Sequence, residues 1–245
     1  MDYLISSDGG KAFNLVLAIQ KPDIEVADVT AVVDELARSF GLKSTMENAN
    51  AIWPSFFARP KRNSAEVFSD IERFAIPAIK TACKNRHDSY VERLIAWRGN
   101  ESGTVVHQLQ NVLARLKSEI ANPAPKSSSY EVSIYSPGLD PGYMSFPCLS
   151  HLSFKYDHHG HLIHLAALYR NHAYLSHAYG NFLGLGRLMQ FVCRETDTFP
   201  GELISISTHA DAELARRKSQ TCTALAKIRQ ILIERHSKIV TPGKQ

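Results

Sequence analysis

The sequence predicts a single α+β domain with a mostly β core over its 245 residues, and three observations carry that expectation. Two runs, Leu149 to Tyr156 and Leu162 to Arg170, alternate in polarity around the turn signal Asp157-His158-His159-Gly160, as an antiparallel hairpin does. In the first run Leu152, Phe154 and Tyr156 share a face, and in the second Leu162, His164, Ala166 and Leu168 take the same phase, with Gly160 the residue suited to positive φ. Apolar residues recur at helical spacing at Val105, Val106, Leu109, Val112, Leu113, Leu116 and Ile120, and again at Phe182, Leu185, Leu188, Met189 and Val192. Finally, no internal repeat or low-complexity segment divides the chain, and its proline-containing loops do not separate two domains. Within this single domain the sequence reads as an N-terminal stretch (residues 1–85), a core (residues 86–236) and a tail (residues 237–245).

Each element follows in order. Phe13 to Ile19 suits either a strand or a short helix, and Asp28 to Ser39 reads as a helix through Val29, Val32, Val33 and Leu36. Gly41 to Asn63, with Pro54 and Pro60, reads as irregular. Ser64 is placed as the N-cap of a helix to about Cys83, ended or kinked by Pro77. Residues 88–97 form a short helix, Arg98-Gly99-Asn100 a turn, and Asn122 to Ser129 a solvent loop. Tyr130 to Tyr135 is a strand, Asn181 to Glu195 a helix with Asn181 suited to its N-cap, Leu203 to Thr208 a strand ending at His209, and 211–236 a long basic helix. Gly184 and Gly186 have helical rather than phosphate-loop neighbours, so they are expected to permit close helix packing.

The bulk numbers exclude several classes. The opening MDYLISSDGGK carries no apolar leader, and no stretch approaches the roughly 18 apolar residues of a membrane span, so a cytoplasmic protein without membrane contact is expected. Cys83, Cys148, Cys193 and Cys222 form no CxxC pair and are expected as free thiols. A net charge of +4, with Lys and Arg dispersed, argues against a nucleic-acid surface and fits an anionic small ligand equally well. The basic residues Arg216, Arg217, Lys218, Lys227 and Arg229 read as a solvated helix face. His151, His158, His159, His161, His164, His172 and His177 do not converge on one face, so no metal site is expected. Nor is there the Cys-His-Asn/Asp order of a cysteine hydrolase.

Pro147-Cys148 and Arg170, 22 residues apart across the hairpin, carry the chemistry. A turn centred on His158-His159 places Cys148 opposite Tyr169 or Arg170. A thiol beside a guanidinium is biased toward the nucleophilic thiolate.

From Tyr90 to about residue 215 the chain resembles the thymidylate synthase/pyrimidine hydroxymethylase superfamily. The resemblance rests on Tyr90 with six residues between it and Trp97, the segment Val106 to Lys117, Pro147-Cys148, Arg170-Asn171-His172-Ala173 where the family has Arg-Ser-x-Asp, Gly180-Asn181-Phe182, and Thr208-His209. It implies a thymidylate synthase-like α+β fold, with a mixed or antiparallel sheet, helices on one side, and a sheet face at a homodimer interface. It also implies a pyrimidine nucleotide or nucleoside as substrate and 5,10-methylenetetrahydrofolate as one-carbon donor, the product being methylated or hydroxymethylated. Carried over, Cys148 adds to C6 of the base, Tyr90 joins the proton relay, and Arg170 and Asn171 bind substrate. Asn181 reads the base edge, tilting it toward uracil, His209 touches the sugar, and Glu66 stands for the N-terminal glutamate. Residues 1–85 diverge from the family. Ser128 and Ser129 replace its paired phosphate-binding arginines, at the cost of several charge-assisted bonds of about 1.5–3 kcal/mol each, with nearby Lys126 or an N-terminal arginine, Arg59 or Arg62, as the substitute. Ala173 and Asp211 replace the family's aspartate and its sugar-contacting tyrosine.

Overall fold

The computed structural model describes residues 1–54, 63–83, 89–98, 104–122, 128–140, 147–214 and 217–240. Arg59, Arg62, Lys126 and most of the Arg98-Gly99-Asn100 turn lie outside the described residues, as does the tail beyond Val240. Strands β1 (Lys11–Ile19), β2 (Glu131–Ser133), β3 (Leu149–Asp157), β4 (Leu162–Tyr169), β5 (His172–Ala173) and β6 (Phe199–Asp211) form one sheet in the order β1-β6-β4-β3-β2. β1 runs antiparallel to β6 and β4 parallel to it, while β5 pairs with the end of β6 at Ala210 and Asp211. The ambiguous run Phe13 to Ile19 is thus strand, because it lies along the longest strand of the sheet, which itself continues three residues beyond the expected end at Thr208. The expected α+β arrangement is observed.

The hairpin between β3 and β4 forms, with one change of register. Asp157 accepts bonds from the amides of His159 and Gly160, and His161, not Gly160, takes the left-handed conformation at φ 55°. That extra turn residue pairs Leu152 with Ala167 and Phe154 with Leu165. A one-residue slip exchanges faces, so the core receives Ile163, Leu165, Ala167 and Tyr169, and the expected set of Leu162, His164, Ala166 and Leu168 faces outward. A bulge between Leu149 and His151 then resets the ladder, and Leu149 meets Tyr169.

Helices cover the core face. In chain order they are α1 (Asp2–Ser6), α2 (Ala27–Ser39), α3 (Thr45–Ile52), α4 (Ser64–Asp70), α5 (Ile76–Cys83), α6 (Tyr90–Ile95), α7 (Gln108–Ala121), α8 (Tyr179–Thr196) and α9 (Lys218–Val240). α8 buries Leu185, Leu188, Met189, Phe191 and Val192 against sheet residues such as Leu152, Phe154 and Leu165. α3 occupies a portion of the stretch expected to be irregular; Ser44 and Glu47 build a capping box that starts it. It approaches α8 so closely that a Cβ on Gly180 or Gly184 would lie 2.7 Å from the carbonyl oxygen of Thr45 or Ala49. Close packing by Gly184 is therefore realised. The cap of α4 is Asn63 rather than Ser64, again in a capping box, with Glu66. Pro77 sits in α5 without breaking it because a wide π-turn, Ile71–Ala75, precedes it. α7 begins later than Val105, since Val106 exchanges two backbone bonds with Trp97. α9 begins at Lys218, after β6 has run to Asp211.

A buried ion pair joins α6 to the segment after β2. Arg93 donates from both terminal nitrogens to Asp140 at 2.6 and 2.7 Å and from Nη1 to the Ile134 carbonyl at 2.6 Å, while Asp140 also accepts from the Ser136 amide. Both side chains are almost wholly buried. Replacing Asp140 by Ala strands a buried guanidinium and is expected to cost about 3–5 kcal/mol, read as a lower denaturant midpoint; Asp140→Asn, which keeps an acceptor, should cost less.

Candidate active site

Cys148 immediately precedes β3, and Arg170 immediately follows β4. The Arg170 amide donates to the Cys148 carbonyl at 2.9 Å, and its Nε donates to the Pro147 carbonyl at 3.1 Å. The thiol is half-buried and free. Tyr90, the first residue of α6, brings its hydroxyl to the amide of Leu149 at 3.5 Å and within electrostatic reach of Cys148 and Arg170. The structure thus gathers Cys148, Arg170 and Tyr90.

Burial governs their protonation. It pushes the Cys148 thiol upward, and the nearby Arg170 guanidinium offsets only a fraction of the rise. The expected bias toward thiolate is therefore reversed, because desolvation outweighs the cation. Tyr90 keeps some exposed surface, yet burial and the neighbouring thiol push its hydroxyl up to about 12.

A second group lies where β5 and β6 meet α8. His209 lies within hydrogen-bond distance of Asn171, Nδ1 to Oδ1 being 2.6 Å, and its ring leans on Phe13. Thr208 Oγ1 donates to the Arg170 carbonyl at 2.8 Å, so Arg170, Asn171 and His209 are held at adjoining strand ends. Asn181 is not an N-cap. It lies inside α8, whose N-terminus is the continuation of a π-turn, Tyr174–Ala178. Its Nδ2 donates to His172 Nε2 at 3.3 Å, and His172 Nδ1 lies 3.0 Å from Ser207 Oγ, which is 3.2 Å from the Tyr174 hydroxyl. The His172 ring stacks on Tyr169 with centroids 3.9 Å apart. Burial pushes His172 down to about 3 and Tyr169 well above the usual phenol value, with Tyr90, Cys148 and Tyr174 adding to the rise. Tyr169 therefore lies between the two groups, its buried hydroxyl without a hydrogen-bond partner among the described residues. Sequence reasoning missed Tyr169, His172 and Ser207 as site residues. The available signal was a serine pair, Ser205 and Ser207, in the inward phase of an apolar strand.

The remaining candidates are placed as follows. Glu66 is exposed on the first turn of α4 and occupied in its capping box. The Ser129 carbonyl accepts from Arg115 at 2.6 Å. Ala173 lies in register with Asp211, whose carboxylate faces Lys11 at 3.7 Å and accepts from the Glu213 amide at 2.7 Å. The histidines have separate partners: His151 with Glu131, His158 with Glu119, His161 with Tyr156, and His164 accepting from the Glu202 amide. Among the described residues, no group of three His, Cys, Asp or Glu side chains is placed to hold a metal ion, and no helix is long and apolar enough to cross a membrane.

Fold and site together are those of an α+β protein with a cysteine and an arginine apposed at the end of a hairpin. No family model matches the chain. A protein of Methanosarcina mazei described as a putative thymidylate synthase is 28% identical over 123 residues, 49% of this chain and 51% of that protein. The chain thus matches about half the length of this curated relative. The similarity suggests a relation to the thymidylate synthases without placing the chain among them.

Two outcomes are expected. Alkylation of Cys148 by iodoacetamide, followed by peptide mass spectrometry, should be slow at neutral pH and rise in alkali; Arg170→Ala should slow it further, because the group that lowers the thiol pKa is gone. Separately, His172 and His107, pushed down by burial to about 3 and about 4, bind protons more readily when unfolded. Their contribution to stability is full above the unfolded value near 6.5 and is lost as pH falls toward 4 and 3. Thermal midpoints measured from pH 7 to pH 4 should decline accordingly, and less steeply in His107→Asn.

Proposed function

We propose that this chain is a thymidylate synthase-like transferase acting at C5 of a pyrimidine nucleotide or nucleoside through covalent addition of Cys148 to C6. The apposition of Cys148, Arg170 and Tyr90 at the hairpin end is the observation that carries the reading. The Cys148 sulfur forms a bond to C6, and the electron pair of the C5=C6 double bond moves onto C5 and the C4 carbonyl. C5 so activated gives up its proton in exchange for an electrophile, a solvent proton included, and expulsion of the sulfur as thiolate restores the double bond. Because burial favours the neutral thiol, its proton must leave as the ligand binds. Tyr90 stands beside the sulfur in the relay role. Arg170 supplies positive charge for the ligand, and Asn171, His209 and Asn181 supply its polar contacts.

The implied one-carbon donor is 5,10-methylenetetrahydrofolate, which when bound supplies the carbon that C5 accepts. The described residues meet it only incompletely. Ala173 offers no carboxylate, its register neighbour Asp211 is engaged by Lys11 and the Glu213 amide, and Glu66 caps a helix. No step is therefore routed through the folate. The same absences, with Ser128 and Ser129 in place of arginines, support a second reading in which the chain binds nucleotide without turnover. The outward sheet face bears Val16, Ile206 and Leu168 in register, with Val16 56% exposed, and is the surface proposed for a homodimer.

Intact mass after incubation with 5-fluoro-dUMP or 5-fluoro-UMP, with and without methylenetetrahydrofolate, is expected to show an adduct that Cys148→Ser abolishes. Binding with no adduct under any condition would favour the second reading. If Ala173 is what limits an otherwise complete site, Ala173→Asp should raise tritium release from 5-³H-uridine nucleotides severalfold or more; an unchanged rate removes that explanation.

A further inference from the structure

We propose that His172 is a specificity-determining positioning residue: by fixing the orientation of the Asn181 carboxamide, it makes the site accept the imide edge of a uracil base and reject cytosine. The inference rests on the pyrimidine-binding reading of Asn181 above. His172 is 1% exposed and enters from β5 between the sheet and α8. Its ring lies flat on Tyr169, at an interplanar angle of 7°, and edge-on to Phe182 at 82°, so packing on two sides fixes its plane.

The orientation of the Asn181 amide then gives the chain of hydrogen bonds its direction. An amide nitrogen donates and does not accept, so Asn181 Nδ2 at 3.3 Å requires a lone pair on His172 Nε2. The ring proton therefore sits on Nδ1 and is donated to Ser207 Oγ at 3.0 Å, leaving the serine hydroxyl to donate to Tyr174 at 3.2 Å. The donors run in one direction from Asn181 through His172 and Ser207 to Tyr174. Burial holds the ring neutral, with a pKa of about 3, so Nε2 stays an acceptor at neutral pH.

One N–H of the carboxamide is consumed in this chain. What remains for a ligand is Oδ1, an acceptor, and one N–H, a donor. A uracil edge presents N3–H and O4, and both match. A cytosine edge presents the N3 lone pair and the N4 amino group, so an acceptor meets an acceptor and a donor a donor. Rotating the amide would point Oδ1 at the Nε2 lone pair unless His172 changed tautomer and both hydroxyls reversed. A lone asparagine reads either base by flipping alone; Asn181 can flip only if His172, Ser207 and Tyr174 reverse with it.

The test measures equilibrium binding of uridine and cytidine 5′-monophosphates to the full chain by calorimetry, for the wild type, His172→Phe, His172→Gln and Ser207→Ala. His172→Phe keeps a flat ring on Tyr169 and loses both nitrogens. The wild type is expected to prefer the uracil nucleotide by at least about tenfold. His172→Phe should bring the two within about threefold, mainly by weakening the uracil complex, and His172→Gln should restore some of the preference. Ser207→Ala frees the tautomer and should also shrink the ratio, which keeps the test open should His172→Phe not fold. A purely structural role would lower thermal stability and leave the ratio unmoved. A wild type that binds both nucleotides equally or prefers cytosine, or a His172→Phe or Ser207→Ala variant that keeps the full preference, overturns this inference alone. A wild type that binds neither nucleotide overturns the reading of Asn181 together with it.

Discussion

The bond from the Arg170 amide to the Cys148 carbonyl is the contact on which the candidate site depends. Along most of the hairpin the ladder runs in a register that would set Cys148 against Asn171, not Arg170. The bulge between Leu149 and His151 removes that offset. The same irregularity leaves Leu149 and Tyr169 as core-facing partners, so the arginine is brought to the cysteine while the apolar layer beneath remains continuous. Tyr90 is fixed to this corner from outside the sheet, through the buried pair of Arg93 with Asp140. A strand irregularity and a helix tether, from separate parts of the sequence, thus converge on one sulfur.

The same burial that makes the corner rigid opposes its chemistry. Tyr90, Tyr169 and Cys148 are all pushed toward their protonated forms and His172 toward its unprotonated one, so each is neutral near pH 7. Arg170 contributes the positive charge. A neutral, desolvated surround strengthens any charge that a ligand brings. In the proposed reaction, proton movement is then coupled to occupancy of the site.

The sequence made the hairpin, α2, α7 and α8 legible, because each has a clean period and α8 a long one. The cysteine and arginine were legible as partners because short hairpins fix cross-strand neighbours. Which face β4 buries was not, since one left-handed residue at His161 exchanges the faces and a histidine there gives no advance sign of it. α3 was not legible although Ser44 and Glu47 form a capping box, because Pro54 and Pro60 in the same stretch favour irregular backbone. Asn181 was assigned the wrong local role because a π-turn ahead of α8 carries the helix past it. His172 and Ser207 were hard to read for a different reason. Their significance lies in being polar at inward positions, and the inward phase was known only once the register was.

The π-turn at Tyr174–Ala178 holds one residue more per turn than the helix it enters. Every residue of α8 takes its azimuth from that surplus, and a helix rotates by about 100° per residue. Deleting a single position there would swing Asn181 away from His172 and carry Gly180 and Gly184 off the backbone of α3 in the same motion. Exchange of one side chain for another in this stretch acts locally, whereas a change in its length acts on recognition and on helix packing at once. Insertions and deletions should accordingly be rarer here than in the surface loops, even where the identities of the residues drift.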